Sequence, residues 1–110
     1  MSIRSMHDAA IDFVRAVKAS EEYREYTVQL EKIKKQPELF ERVNAFRRKN
    51  FQIQNTEDSE KLLDRMDELD EEYEQLREIP MAGDFFDAET SFCRMMQDID
   101  IMIIRELDFQ

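Results

Sequence analysis

Residues 20–26 read Ser-Glu-Glu-Tyr-Arg-Glu-Tyr, and this stretch has the features of a helix start. Ser20 is a preferred N-cap residue, and two glutamates follow in the first turn, where the helix dipole favours acids. Tyr23 and Tyr26 lie three residues apart, so they share one helix face with Leu30. The stretch predicts an amphipathic helix whose tyrosines pack along its apolar face, and tyrosine is also favoured at protein–protein contacts.

The rest of the 110-residue chain follows the same helical pattern. The chain contains only one glycine and two prolines, which are too few turn-forming residues for a β sandwich or barrel. Apolar residues recur three and four apart in five segments, and the last segment has the widest stripe, which includes Phe86 and Ile103 and predicts a central position. We expect an all-α fold of about five helices in antiparallel hairpins, forming one elongated bundle over residues 1–110. Because most stripes are narrow, we expect oligomerisation to complete its core.

Capping residues and prolines predict the helix boundaries. Ser, Thr and Asp side chains cap helix N-termini, and proline suits the first helical turn because its missing N–H has no partner there. Residues 79–83 contain Pro80 and Gly83, and we expect this segment to be a loop. The five expected helix starts are Ser5, Ser20, Pro37, Thr56 and Asp84.

The net charge of −10 is unevenly distributed. Residues 1–55 hold 8 acidic and 11 basic residues, whereas residues 56–78 hold 11 acidic and 3 basic residues. A strongly acidic protein repels phosphate backbones, so direct nucleic-acid binding is not expected. RNA binding through the basic second and third helices ranks third, after the two hypotheses given below. The basic helices instead suit acids of the same chain or of a second protein. No apolar run is long enough to cross a membrane, and we expect a cytoplasmic protein without membrane insertion.

No residue spacing assembles an active site. His7 has no nucleophile at a defined spacing, and we expect it at the surface or in a cap. Cys93 lies on the most apolar helix and is expected to be a small buried hydrophobic residue. A single cysteine excludes an internal disulfide and a multi-thiolate zinc site. We therefore expect no enzyme activity, no cofactor and no metal site.

The alternative hypothesis is a metal-binding or enzymatic helical bundle. It would use paired carboxylates of the acidic fourth helix, such as Asp64 with Glu68 or Asp67 with Glu71, and needs acids from a facing helix at the same spot. The Glu-x-x-His pairs of di-iron bundles are absent, so a solvated helix face is the simpler interpretation of these acids.

Four segments together resemble a known family. Residues 20–26 (SEEYREY) are followed by QPEL at 36–39, FRRKNFQIQ at 46–54, and DAE at 87–89 before a long apolar helix. This order is similar to that of the YlbF/YmcA family of small helical bacterial regulatory proteins, over nearly the whole chain. The resemblance implies an all-helical, self-associating regulator rather than an enzyme. Family members act in a complex that modulates the membrane-anchored ribonuclease RNase Y and influences competence, sporulation and biofilm formation.

The chain departs from the family pattern at its C-terminus. The resemblance implies iron–sulfur clusters held by cysteines, including cysteines near the C-terminus of some members, but residues 105–110 contain none. Cluster binding is therefore not transferred. We expect a non-enzymatic regulatory adaptor that binds a second copy of itself and a protein partner, such as an RNase Y-associated complex. The candidate interaction residues are Tyr23, Tyr26, Phe46, Asp64, Asp67, Glu68 and Glu71.

Overall fold

A computed structural model describes the backbone of residues 3–54 and 59–108 and the side chains of residues 5–53 and 62–108. These residues form five helices and contain no strand, which confirms the predicted all-α fold. The helices are α1 (Ile3–Lys18), α2 (Glu21–Lys34), α3 (Pro37–Gln54), α4 (Ser59–Arg77) and α5 (Pro80–Leu107).

The starts of α2 and α3 follow the sequence prediction. The Ser20 hydroxyl oxygen accepts a hydrogen bond from the backbone N–H of Tyr23 at 3.2 Å and donates one to the carbonyl oxygen of Val17 at 2.6 Å. Ser20 thus caps α2 and satisfies the last turn of α1. Pro37 is the first residue of α3, where its missing N–H leaves no bond unmade.

Two other predicted helix starts are wrong, and a third lies outside the described residues. The helix α1 already includes Ile3, so Ser5 lies within it and is not its N-cap. Of the predicted loop over residues 79–83, only Ile79 lies outside the helices, because α5 already begins at Pro80, and Asp84 is therefore not its cap. Pro80 occupies the first helical position, as Pro37 does in α3. The proposed cap at Thr56 lies in the segment that the structure does not describe.

Gly83 has a packing role within α5. A Cβ atom at this position would lie 3.0 Å from the carbonyl oxygen of Arg77, at the end of α4. The absent side chain therefore lets the first turn of α5 approach the last turn of α4 closely. Glycine here marks a close backbone approach rather than a helix end.

The helices divide into two compact units, of which unit 2 comprises residues 29–87 and contains most of the core. In this unit α3 packs against α4 in an antiparallel hairpin, since Phe46 contacts Tyr73 and Lys49 contacts Glu72. Its buried apolar side chains come from all four helical segments of the unit. They are Ile33, Val43, Phe46, Leu69, Leu76, Ala82, Phe85 and Phe86.

Unit 1 comprises residues 1–28 and 88–110 and holds α1, the first part of α2 and the later part of α5. Ala88 is its only buried side chain among the described residues. The predicted central position of α5 therefore holds for Phe85 and Phe86 in unit 2, whereas Met102 and Ile103 in unit 1 are exposed. The organisation as a single domain, and its completion by oligomerisation, stay predictions.

Candidate interaction surfaces

The two candidate tyrosines form an aromatic cluster in unit 1. The Tyr23 ring meets the Phe92 ring edge-on at a centroid distance of 5.7 Å, and the Tyr26 ring stacks on Phe92 at 5.5 Å. Both tyrosines are half-buried. The cluster joins α2 to α5 and leaves part of each tyrosine at the surface, as expected for a ring with an apolar body and a polar tip.

The third aromatic candidate lies in the core. Phe46 is 7% exposed, and its ring contacts Tyr73 at 5.5 Å and Phe86 at 5.6 Å. Tyr73 and Phe86 also contact each other at 5.1 Å, so three helices contribute one ring each to a closed cluster. The structure therefore places Phe46 in packing rather than at the surface, and it is not part of the contact surface proposed below.

Two arginines border this aromatic cluster. The Arg47 guanidinium lies 5.4 Å from the centre of the Phe85 ring. Arg77 donates hydrogen bonds to Asp87 at 2.8 Å and to the Tyr73 hydroxyl at 3.2 Å. The bond to Asp87, followed by the bond to Tyr73, raises the pKa of Arg77 above its ordinary value. Arg77 thus ties α4 to the start of α5 while remaining charged.

Three of the four acidic candidates lie on the face of α4 opposite buried Leu69, whereas Glu68 lies at the flank of the helix and lines a groove between α3 and α4 with Lys49 and Leu69. Asp64, Asp67, Glu68 and Glu71 are all exposed. Within the described part of the chain, no three His, Cys, Asp or Glu side chains lie together in a group that could hold a metal ion. The convergence of acids from a facing helix, which the metal-binding hypothesis requires, is thus not found among these residues.

One ion pair links the basic α3 to the acidic α4. The Lys49 ammonium lies 3.3 Å from a Glu72 carboxylate oxygen. The sequence predicted that the opposite charges of these helices would pair within one chain or between two, and this pair forms within the chain. A surface pair of this kind is worth about 0–1 kcal/mol, so its main effect is on the register of the hairpin.

A groove of about 520 Å³ lies in unit 2, between the end of α2 and the α4–α5 connection. Leu39, Ile79 and Met81 give it an apolar lining, and Lys32 and Asp84 lie at its polar side. Its described lining holds no histidine, cysteine or hydroxyl nucleophile, so it suits binding better than chemistry.

One face of α1 is an apolar surface that contains none of the candidate interaction residues. Met6, Ala10, Phe13 and Val17 lie three and four apart, and Asp8 lies on the opposite side of the helix. Helices of this pattern normally bury their apolar face. Here every described side chain from residue 5 to residue 16 is exposed, and Val17 is half-buried. The 3–4 spacing was visible in the sequence, but it does not tell which stripes the chain itself covers.

The end of α5 is a second exposed apolar surface of unit 1. Ile101, Met102 and Ile103 are each 42–53% exposed, and Leu107 is 71% exposed. With Ile104, positions 101–107 hold five apolar residues, which point to several sides of the helix, and helices of that composition are normally buried on more than one side. In the sequence these residues belong to the wide apolar stripe of the last helical segment, from which a central position of this helix was predicted.

The two residues considered for reactivity are both at the surface. His7 is exposed on α1, consistent with the surface position expected from the sequence. Cys93 is also exposed, so the expectation of a buried cysteine is wrong. It directly follows Phe92, which contacts both tyrosines, and the next position on a helix points about 100° away from that packed side.

No helix in the described part of the chain combines the length and apolar composition needed to cross a membrane.

These observations define a small all-helical protein with two compact units. A family model described as control of competence regulator ComK, YlbF/YmcA, matches residues 6–108, and the chain belongs to this family. The match confirms the family resemblance drawn from the sequence, and the description makes the family a regulatory one. Searches of curated proteins and of solved structures gave no match.

Proposed function

We propose that this protein is a non-enzymatic regulatory adaptor that acts through helix-face contacts with other proteins. Its setting is the cytoplasm, in a complex that modulates RNase Y-dependent RNA processing and thereby competence, sporulation and biofilm formation. The description of the family as controlling a competence regulator supports the regulatory role. The family resemblance in the sequence is the basis for naming RNase Y.

The exposed apolar face of α1 is the observation that carries the proposal. Met6 is 63% exposed, Val14 is 48% exposed and Phe13 is 40% exposed. Burying a large apolar side chain completely is worth about 1.5–3 kcal/mol, so covering the exposed part of each would contribute about 1 kcal/mol. An exposed surface of this kind is typical of sites that bind other proteins.

The aromatic cluster of unit 1 supports the same assignment. Tyr23 and Tyr26 are held by Phe92, so their positions are fixed before a partner arrives. Pre-ordered aromatic side chains lose little conformational entropy on binding, which makes them effective contact residues. The acidic face of α4, which includes Asp64, Asp67, Glu68 and Glu71, supplies a second surface, suited to a basic partner.

The test compares two exposed phenylalanines in the producing cell. A strain lacking the protein is complemented with tagged wild type, with Phe13→Ser or with Phe51→Ser. Phe51 is 68% exposed on α3, so the two variants make the same chemical change on different surfaces. Capture of RNase Y with the tagged protein is measured together with the ends of RNase Y-processed transcripts.

We expect Phe13→Ser to weaken capture about fivefold and to shift the processed ends, because it removes about 1 kcal/mol of apolar burial from the contact. Phe51→Ser is expected to behave as wild type. If wild type captures no RNase Y and its absence leaves the transcript ends unchanged, the RNase Y assignment is wrong. If Phe13→Ser retains full capture, α1 is not the contact surface.

A further inference from the structure

The groove in unit 2, between the end of α2 and the α4–α5 connection, combines apolar walls with a few polar side chains. Its volume of about 520 Å³ lies within the range of about 300–1,000 Å³ that is typical of sites for small ligands. Half of its described lining is apolar and consists of Leu39, Ile79, Pro80 and Met81. Apolar walls bind the body of a ligand, and the polar residues then decide its chemical class.

The walls of the groove are ordered by backbone hydrogen bonds to buried residues. At the α2–α3 connection the N–H of Gln36 donates to the carbonyl oxygen of Ile33 at 2.9 Å, and Ile33 is fully buried. At the α4–α5 connection the N–H of Ile79 donates to the carbonyl oxygen of Leu76 at 3.0 Å, and Leu76 is 1% exposed. Because both connections are fixed in this way, little conformational entropy is lost when a ligand binds.

The groove carries one cation and one anion that do not neutralise each other. Lys32 and Asp84 line it and are exposed, and neither side chain forms an ion pair or a hydrogen bond with a described residue. Both charges can therefore form charge-assisted hydrogen bonds to a ligand. A ligand that satisfies both has one anionic and one cationic group, as a zwitterion does. A nucleotide or another polyanion would require an excess of cations instead.

The two remaining polar residues of the lining are Gln29 and Gln36. Gln29 is 9% exposed and is the only buried polar side chain among the described residues, whereas Gln36 is exposed. A glutamine amide carries two N–H donors and a carbonyl oxygen that accepts twice, so it can bond to its own protein and to a ligand at once. A peptide group likewise presents one donor and one acceptor. Glutamine side chains therefore suit the backbone of a bound peptide.

We propose that this groove binds a short peptide with apolar side chains and free ends. Asp84 binds the ammonium terminus, Lys32 binds the carboxylate terminus, and the two glutamines bond to the peptide groups. The apolar walls cover the side chains of the peptide. A single amino acid has no peptide group for the glutamines and fills less of the groove. The site goes beyond the proposed function, because none of the contact residues proposed on α1, α2 and α4 lines it.

The test titrates the purified protein with the dipeptide leucyl-leucine, followed by calorimetry and by nuclear magnetic resonance of the side-chain amides. A dissociation constant of about 0.1–1 mM is expected for a ligand of this size in an open groove. The amide signals of Gln29 and Gln36 should shift, whereas that of Gln75, exposed on α4 outside the groove, should not. Seryl-serine, which lacks apolar side chains, and free leucine, which lacks a peptide group, should both bind more weakly.

Capped forms of leucyl-leucine test the two charge contacts. Acetylation of its amino group and amidation of its carboxyl group should each weaken binding to wild type about three- to fivefold, as expected for the loss of one exposed ion pair. Asp84→Asn and Lys32→Gln should weaken binding of the free dipeptide by the same factor. Acetylation should then have no further effect on Asp84→Asn, and amidation none on Lys32→Gln. The matched controls Asp70→Asn and Lys35→Gln change exposed residues outside the groove and should bind like wild type; circular dichroism verifies the fold of all four variants.

Four results would overturn the inference. They are no binding of leucyl-leucine well above the expected range, equal binding of seryl-serine or free leucine, shifted signals away from the two glutamines, and equal binding of the capped and free dipeptides. The last result would show that the groove binds an internal segment of a protein rather than a free peptide. Purified protein and synthetic ligands are used, so these outcomes are separate from failure of RNase Y capture.

Discussion

Replacing Phe46 with alanine is expected to destabilise the protein by about 3–5 kcal/mol, the usual cost of removing a buried phenylalanine ring. The contacts of Phe46 give a similar figure. Burial of the ring, which is 7% exposed, accounts for about 1.5–3 kcal/mol. The ring pairs with Tyr73 and Phe86 add about 0.5–1.5 kcal/mol each. For a chain of 110 residues the total stability is about 5–15 kcal/mol, so a large share would be lost.

Urea unfolding followed by helical circular dichroism measures this change. The chain has no tryptophan, so intrinsic tryptophan fluorescence cannot report on unfolding. The matched control is Phe51→Ala, which removes the same ring from an exposed position on the same helix. Because Phe51 is 68% exposed, its replacement should cost less than about 1 kcal/mol.

The comparison of the two phenylalanines can refute the argument directly. A loss below about 1 kcal/mol for Phe46→Ala would mean that the three-ring cluster does not carry the packing energy assigned to it. Equal losses for both variants would show that burial in this structure does not distinguish the two positions. A changed slope of free energy against urea would instead indicate an altered unfolded or native state.

Three further predictions concern single contacts. Ser20→Ala should lower the free energy of unfolding by about 1 kcal/mol through loss of the α2 cap, whereas Ser20→Gly should lower it by only a few tenths of a kcal/mol. Equal urea midpoints for wild type and both variants would contradict the capping role of Ser20. Gly83→Ala should give no net stabilisation, although alanine favours helices over glycine by about 1 kcal/mol, because its Cβ would lie 3.0 Å from the carbonyl oxygen of Arg77. A clear rise in stability would show that α4 and α5 are not in close contact at this position. Arg77→Met should lower the melting temperature by removing the hydrogen bonds to Asp87 and Tyr73. The raised pKa of Arg77 means that its contribution is complete below the unfolded-state value and is lost only as the pH rises through the folded-state value. Both pKa values lie in the strongly alkaline range, so the titration of Arg77 adds no pH dependence to the difference in melting temperature between wild type and Arg77→Met at neutral and mildly alkaline pH. If that difference still changes with pH in a background where Asp87 is also replaced, the assignment of the effect to the Arg77 contacts with Asp87 and Tyr73 is wrong.

Local signals in the sequence predicted most helix positions. Ser20 and Pro37 act through their own backbone and the next turn, so their roles do not depend on the rest of the fold. Pro80 and Gly83 were misassigned as loop residues because their roles require tertiary information. The glycine is explained by a carbonyl oxygen of α4 that approaches it, and no property of the neighbouring sequence specifies that contact.

The interaction surfaces were harder to predict than the helices. The 3–4 spacing identified Phe46 as part of a stripe, but burial depends on the rings that α4 and α5 bring to it. The stripe of α1 has the same pattern and is exposed, because no described side chain buries it. Periodicity identifies an apolar face, whereas only the tertiary arrangement shows whether the same chain covers it.

The exposed position of Cys93 has a practical consequence. It is the only cysteine of the chain, so a nitroxide or fluorescent label attaches at one defined place without prior mutagenesis. Cys93 lies on the part of α5 that belongs to unit 1, and in an assembly of two copies a pair of labels would report a single intermolecular distance. The same accessibility allows disulfide cross-linking between chains during storage, so mass measurements require a reducing agent.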